Sequence, residues 1–303
     1  MAAHLIPVDL YALDQFDLPA RQAGVGLASA LAMQPPVLRQ DARQCRMWLA
    51  EGIEGMSLGA PLTLAGVDQP QDTRVTVEAL PGLAAFLLVR IGGTPVGLAM
   101  AGPGTDAESP ELLSAFAAGT LIDTPDGHRA VETLVAGDRI TTLANGSRPL
   151  VWVGHRRIMA VEILAYPGLR PLLLPKGSAG NDRPLLVSPR QRMLIDDWRA
   201  EVYFGEDRVL VSAEALSDSR DIRPPLSPEG VVYVMLLCDR HEILVAEGAL
   251  TESFHPGETG LTALTAPERS SLAAVAAETD LARRRAAYPI VRNAEARALR
   301  LST

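Results

Sequence analysis

Short apolar segments separated by turn residues dominate the chain from about residue 116 onward. The segments LRPLLL, PLLVS, RMLID, RVLVS, VVYVMLL and EILVA are most of them only a few residues long and bounded by Gly, Pro, Asp or Asn. Turn signals at Pro125-Asp126-Gly127 and Asn145-Gly146 predict two hairpins, and Ala136-Gly137-Asp138 predicts a turn into a further strand. Many short strands joined in this way are typical of an all-β body.

The region before this body has a different pattern. Ala42–Gly52 (ARQCRMWLAEG) predicts a helix, whereas Thr73–Leu80 alternates with a period of two and predicts a strand. Ala84–Met100 predicts a hairpin around Gly92-Gly93. We therefore expect a small N-terminal α+β domain, in which no residue pattern indicates a chemical function.

A linker and a helical tail set the expected domain limits. Ala101–Pro110 (AGPGTDAESP) replaces apolar residues with small, turn-forming and acidic ones, which is typical of a linker. Ala266–Ala287 has apolar residues at helical spacing, and Asn293–Leu301 predicts a short second helix capped by Asn293. The expected domains are an N-terminal domain of unknown role at 1–108, the β body at 112–258 and a C-terminal helical extension at 259–303.

Composition narrows the classes of function. The 303 residues are 48% hydrophobic and 21% charged, as in an ordinary globular protein, and the net charge of -8 argues against a nucleic-acid partner. The two cysteines, Cys45 and Cys238, lie too far apart in sequence to indicate a disulfide framework. No Cys/His set has zinc spacing and no glycine loop of the phosphate-binding kind is present, so we expect no metal and no cofactor.

The N-terminus bears on localisation. It has neither the basic region nor the apolar run of a signal peptide. No stretch approaches the ~20 apolar residues that a membrane helix needs. We expect no membrane association, and a location that is cytoplasmic or secreted without an N-terminal signal peptide.

Three segments stand out by their order and spacing. They are Phe116–Gly127 (FAAGTLIDTPDG), Arg183–Asp196 (RPLLVSPRQRMLID) and Cys238–Glu258 (CDRHEILVAEGALTESFHPGE). Together they resemble the blocks of the Hedgehog/intein (Hint) family, in particular bacterial Hint-domain proteins with an SFHPG-type ending. The resemblance covers roughly half of the chain and implies a mainly β fold, with a Hint-type all-β body beside the N-terminal domain and the C-terminal helices.

The resemblance also implies a chemistry. Family members cut their own backbone by an N-to-S acyl shift, in which a cysteine thiol attacks the carbonyl of the residue before it. The resulting thioester is then opened by water, a thiol or another nucleophile. A Thr or Ser and a His polarise and protonate the scissile amide.

The same resemblance places the site at Ala115, Ser188, Gln191 and His241. Ala115 stands where the family has its cysteine, and Gln191 stands where it has its catalytic histidine. Ser188 keeps the Thr/Ser role, and His241 keeps a histidine that some members use. Because alanine has no nucleophile and glutamine does not exchange a proton near neutral pH, a degenerate active site is implied. We expect Ala115 and Ser188 to lie near each other, with His241 close to the same cleft.

Two alternatives retain an activity. Ser114 could attack as an oxygen nucleophile, although the plainer interpretation is an ordinary surface or turn serine. Cys238 and His241 could belong to a β-rich cysteine hydrolase, but a spacing of three residues in a strand points their side chains to opposite faces. Without activity, the domain would be a stable module that binds a protein or peptide partner. The sequence does not indicate an oligomeric state.

Overall fold

The computed structural model describes residues 5–18, 26–33, 36–38, 45–50, 75–79, 86–101, 113–216, 224–255, 257–276, 285–296 and 299. The chain forms two compact units. The first contains residues 1–109, 158–167 and 225–230, and the second contains residues 110–157, 168–224 and 231–303. The linker predicted at Ala101–Pro110 lies, apart from Ala101, outside the described residues.

The first unit is built on a five-stranded antiparallel sheet. Its elements are β1 (Leu5–Ala12), β2 (Phe16–Asp17), α1 (Leu27–Met33), β3 (Val37–Leu38), β4 (Cys45–Ala50), β5 (Val75–Ala79), β6 (Phe86–Ile91) and β7 (Thr94–Ala101), with a 3-10 turn at Leu13–Gln15. The sheet order is β4-β1-β7-β6-β5, and β2 pairs with β3 separately. The predicted strand at 73–80 and the hairpin at 84–100 are confirmed over their described residues, 75–79 and 86–100. Gly92 and Gly93 form the turn, with φ of 55° and 86°.

The helix predicted at Ala42–Gly52 is wrong over its described part. Residues 45–50 form strand β4, which pairs antiparallel with β1 from Leu5↔Ala50 to Leu10↔Cys45. Helical propensity is a weak preference that non-local pairing overrides, and the partner strand lies some forty residues earlier in the sequence.

A helical insertion from the middle of the chain completes the first unit. Helix α2 (Ala160–Ala165) packs against β1, β4 and β7. Gly97 leaves room for this contact, since a Cβ there would meet Val161 Cγ1 at 2.6 Å and the Tyr11 carbonyl oxygen at 2.5 Å. The sequence pattern does not indicate that residues 158–167 join the N-terminal unit.

The second unit is strand-dominated, as expected for a Hint-type body. Its strands are β8 (Phe116–Ala117), β9 (Leu121–Thr124), β10 (Gly127–Ala130), β11 (Arg139–Thr142), β12 (Gly146–Ile158), β13 (Leu172–Leu174), β14 (Leu185–Val187), β15 (Arg192–Asp196), β16 (Arg208–Ser212), β17 (Val231–Cys238), β18 (Ile243–Ala246) and β19 (Ala249–Glu252). Its helices are α3 (Trp198–Phe204), α4 (Ala213–Leu216), α5 (Gly257–Ala263), α6 (Ala266–Ala276) and α7 (Asn293–Ala296), and 3-10 turns lie at Val131–Thr133 and Pro167–Leu169.

These strands form one twelve-stranded sheet in the described chain. Its order is β13-β14-β8-β17-β12-β11-β18-β19-β15-β16, with β9 paired to β10 and β18. The hairpins predicted at Pro125-Asp126-Gly127 and Asn145-Gly146 are confirmed as β9–β10 and β11–β12. The main core contains Phe116, Ile122, Leu150, Val234 and other buried apolar residues. Within the sheet, β14 pairs with β8 and β15 pairs with β19.

The C-terminal tail only partly follows its helical pattern. Helix α6 ends at Ala276 within the described residues, and residues 285–287 are not helical, so the predicted helix to Ala287 is wrong at its end. The backbone of residues 289–291 instead bonds to Leu210 of β16, which donates to Pro289 O and accepts from the Val291 N–H. The second helix is confirmed at Asn293–Ala296, and the side-chain Oδ1 of Asn293, its first residue, accepts from the Ser212 hydroxyl at 2.8 Å. Across the described residues, no helix has the length and apolar character needed to cross a bilayer.

Candidate functional site

Ser188 lies directly after β14 and holds the segment that leads into β8. It is fully buried. Its N–H donates to the carbonyl oxygen of Ala115 at 2.9 Å, and its hydroxyl donates to the carbonyl oxygen of Leu113 at 2.6 Å. The Arg190 N–H donates back to Ser188 Oγ at 3.2 Å, which leaves the hydroxyl hydrogen for Leu113. The structure thus brings Ala115 and Ser188 together, as the motif order predicts.

Gln191 uses its whole side chain to join three neighbours. Its Nε2 donates to Thr251 Oγ1 at 2.8 Å and to the Glu252 carbonyl oxygen at 2.9 Å. Its Oε1 lies 2.8 Å from Ser114 Oγ. The residue is 1% exposed, so the amide is a fixed part of the interior rather than a group that exchanges protons with solvent.

Ser114 is buried, and the interpretation as a surface or turn serine is wrong. The residue is 8% exposed. Its hydroxyl lies 2.6 Å from Glu252 Oε1 as well as 2.8 Å from Gln191 Oε1. A hydroxyl has one hydrogen to donate, and the bond to a carboxylate is the stronger one. Ser114 therefore donates chiefly to Glu252.

Glu252, the last residue of β19, is the centre of the network and was missed from the sequence. It is fully buried and forms an ion pair with Arg192 Nη1 at 2.9 Å. Burial raises the pKa of Glu252, but His241, the Arg192 charge and the Ser114 hydroxyl outweigh it and hold that pKa below its usual range. The site therefore contains a carboxylate that is ionised at neutral pH.

His241 approaches this carboxylate from the loop between β17 and β18. Its side chain is fully buried, and its ring stacks on His255 with centroids 4.4 Å apart. The Ala287 N–H donates to Nδ1 at 3.0 Å, so in the neutral ring the hydrogen is on Nε2. Nε2 faces Glu252 Oε2 at 3.3 Å, a contact too poorly aligned to satisfy it fully. His241 thus orients and supports the charge of Glu252.

Two further sequence signals lie outside this cluster. Cys238 is fully buried in the main core, where a substrate has no access to its thiol. No group of three or more His, Cys, Asp or Glu suited to a metal ion occurs among the described residues.

The signal that could have found Glu252 is weak but present. In the strand ALTE, Ala249, Thr251 and Glu252 are all buried, and a buried carboxylate at the end of an apolar strand requires a charged or hydrogen-bonding partner. Arg192, one residue after Gln191, provides that partner. Because the pair is 60 residues apart in sequence, no local pattern connects the two.

A family model and a solved structure each match part of the chain. Residues 114–258 match the family model described as Hint domain. Among solved structures, the chain is similar to a bacterial intein-like domain from Clostridium thermocellum, with 16% sequence identity over 46% of this chain and 98% of that chain and a TM-score of 0.31. No curated protein matches the chain. Residues 114–258, which include the buried residues Ser114, Ser188, Gln191, His241 and Glu252, therefore form a Hint domain.

Proposed function

We propose that this Hint domain does not perform the thiol-dependent self-cleavage of its family. The bond that the family would cut is Ser114–Ala115. The side chain at the nucleophile position is the methyl group of Ala115, which is buried. A thioester requires a sulfur at this position. The thiol described in this unit, Cys238, is sealed in the core, and it does not replace the missing one.

The observation that carries this proposal is the bonding of Gln191. In the family this position holds the histidine that protonates the departing amide. Here the Nε2 group donates to Thr251 and to the Glu252 carbonyl oxygen, and Oε1 lies 2.8 Å from Ser114 Oγ. A glutamine so held stabilises a closed interior, and it supplies no proton to a leaving group near neutral pH.

In this proposal the domain acts as a stable folded module for a protein or peptide partner. The net charge of -8 argues against nucleic acid. Around the cleft, each of the following residues is at most 8% exposed: Ser114, Ala115, Ser188, Gln191, His241 and Glu252. A partner would therefore bind to an outer face of the domain and not in the closed cleft.

The test is the intact mass of the full chain after incubation with dithiothreitol at neutral pH, measured under denaturing conditions. We expect a single species at the mass of the uncut chain. A dithiothreitol-dependent fragment that ends at Ser114 would show that thioester chemistry occurs and would overturn the proposal.

We favour neither of the two alternative activities. The cysteine hydrolase has no support from the buried position of Cys238. Ser114 bonds to the buried carboxylate of Glu252, and a fragment that ends at Leu113 in the same mass measurement would show that it acts as a nucleophile.

A further inference from the structure

Helix α3 has an apolar outer face. Trp198, Val202 and Tyr203, three of its seven residues, are 70%, 66% and 55% exposed. Trp198 is the most exposed large hydrophobic side chain in the described part of the protein. Single apolar residues are normal on a surface, but several on one short helix are typical of a face that another molecule covers.

The backbone that carries this face is held in place from both ends. Asp197 caps the start of α3 through its side chain, and Gly205 ends the helix with φ of 70°. Strands β15 and β16, which flank the helix, pair with each other along their whole length. Ala200, two positions after Trp198, is fully buried. A binding partner therefore meets a surface that is already formed, which lowers the entropy cost of association.

A pocket of about 550 Å³ lies beside the apolar face, and Trp198 is part of its wall. Arg208 is the one positively charged side chain among its described lining residues. The carboxylates that line it are those of Asp196, Asp197, Glu201, Glu206 and Asp207. Five carboxylates against a single arginine make the pocket strongly negative at neutral pH.

Two of these carboxylates already have cationic partners. Asp197 pairs with Arg199 at 2.8 Å, and Asp196 pairs with Arg208 at 2.8 Å. The other three carboxylates are exposed to solvent, and the described lining of the pocket contains no further cation for them. The pocket can therefore accept a positive charge from another molecule.

The charge of the pocket decides what covers the apolar face. A second copy that met the same face across a two-fold axis would bring like charges together. Anionic lipid surfaces are repelled for the same reason. An arginine suits the pocket better than a lysine, because its planar guanidinium binds carboxylates with two hydrogen bonds and stacks on aromatic rings. Trp198 and Tyr288 supply such rings in the pocket wall.

We propose that α3 and this pocket form a docking surface for a peptide segment of a partner protein, in which an arginine stands next to an apolar residue. The arginine enters the pocket and pairs with the exposed carboxylates, and its apolar neighbour packs on Trp198 and Val202. This inference rests on the proposed function in one respect, namely that a partner binds to an outer face of the domain.

The first experiment selects peptides from a random library displayed on phage, with the immobilised full chain as the target. We expect the selected peptides to be enriched in arginine beside an apolar residue. Labelled copies of these peptides are then titrated with the full chain by fluorescence polarisation. The double variant Glu201→Lys/Asp207→Lys should raise their Kd by about 10-fold or more, as the loss of a central charged contact does.

The matched control is the double variant Asp126→Lys/Glu229→Lys. It makes the same change in net charge at two exposed positions that do not line the pocket. Because salt screens charges on distant parts of a surface, this control should leave the Kd within a factor of about 2.

A further variant, Trp198→Ala, tests the apolar half of the surface. It should also raise the Kd by about 10-fold or more, since a few aromatic residues dominate most interfaces. Val135→Ala, at a side chain that is 60% exposed and outside the pocket, is its control and should leave the Kd unchanged. Circular dichroism should show the native fold in both variants, because both side chains are exposed.

Each possible result supports or overturns the docking surface. It is overturned if no peptide is selected, if the selected peptides lack arginine, or if their Kd is the same for the native chain and the folded variants. A dimer in light scattering that Trp198→Ala dissociates would assign the face to a second copy of the chain instead.

The mass measurement that tests the proposed function is independent of peptide binding. An uncut chain that binds no arginine peptide leaves the loss of self-cleavage standing and overturns the docking surface. Dithiothreitol-dependent cleavage in a chain that binds these peptides does the reverse.

Discussion

Ser114 and Glu252, which stand 138 residues apart in the chain, meet at an Oγ–Oε1 distance of 2.6 Å. The contact joins the segment that enters β8 to the end of β19. Arg192 and His241 complete the surroundings of the carboxylate, and Gln191 donates to the backbone carbonyl oxygen of Glu252. The buried carboxylate of Glu252 therefore contacts Ser114, just ahead of the first segment that contains a family motif, and one residue in each of the other two such segments. Several measurable properties depend on this carboxylate.

Restoring the family residues should restore thiol chemistry only as a pair. Ala115→Cys alone should cleave slowly or not at all, because Gln191 cannot protonate the departing nitrogen. Adding Gln191→His should raise the rate by roughly 10²–10⁴-fold, as for a positioned acid–base group. The time course of the N-terminal fragment on a denaturing gel, with and without dithiothreitol, measures the cleavage rates of the single and the double variant. We expect the effects of the two substitutions on the rate to be strongly non-additive.

Ser188→Ala in the doubly changed protein should lower that rate again. The substitution removes the hydroxyl donor near the scissile region while the Ser188 N–H bond to Ala115 O is kept by the backbone. If the double variant is folded yet as inert as the starting chain, the assignment of Ala115 and Gln191 to the catalytic positions is contradicted.

Acid stability should depend on Glu252. Its pKa is held below the ordinary 4.5 in the folded state, so its contribution to stability is present above pH 4.5 and is lost as the pH falls through the folded pKa. In Glu252→Gln, chemical unfolding should show lower stability at neutral pH and a smaller loss on acidification. Glu201→Gln, at an exposed carboxylate on α3, is the control and should keep the acid dependence of the native chain.

The ion pair between Arg156 and Glu268 should contribute strongly to the attachment of α6. The side chains are 11% and 8% exposed, and Arg156 Nε donates to Glu268 Oε1 at 2.9 Å. Arg156→Ala leaves a buried carboxylate without its charge partner, so we expect a loss of about 3–5 kcal/mol in the free energy of unfolding. Arg208→Ala breaks the exposed pair with Asp196 and should cost only about 0–1 kcal/mol. Equal losses in urea titrations would contradict this view.

A side chain at Gly154 should destabilise the fold because it would collide with the ring of Trp152. A Cβ at this position would lie 2.1 Å from the Trp152 ring, and that indole also donates to Ser271 Oγ of α6 at 3.0 Å. Gly154→Ala should therefore displace the ring, cost about 1–3 kcal/mol and weaken the near-ultraviolet circular dichroism. Gly168→Ala, where a Cβ meets nothing within 4 Å, should change neither measurement appreciably.

The parts of the fold that the sequence predicted correctly are those that local chemistry determines. Turn residues such as Asn145-Gly146 select a hairpin whatever lies around them, and ordered motifs brought Ala115 and Ser188 together. The predictions were wrong where contacts between distant segments determine the secondary structure. Residues 45–50 became a strand by pairing with β1, and residues 285–287 left the helical pattern where Ala287 bonds to His241. Ser114 and Glu252 could not be linked, since their contact exists only after the whole unit has folded.

The backbone bonds between residues 289–291 and Leu210 have a consequence for self-association. Strand β16 ends the sheet order, and the parallel bridge from Leu210 to Ile290 occupies its outer edge. An uncovered edge offers a row of unpaired N–H and C=O groups to another chain. The tail thus covers the edge of β16 at Leu210, and we expect a chain shortened before residue 287 to aggregate more readily than the full chain when the two are compared by light scattering at equal concentration.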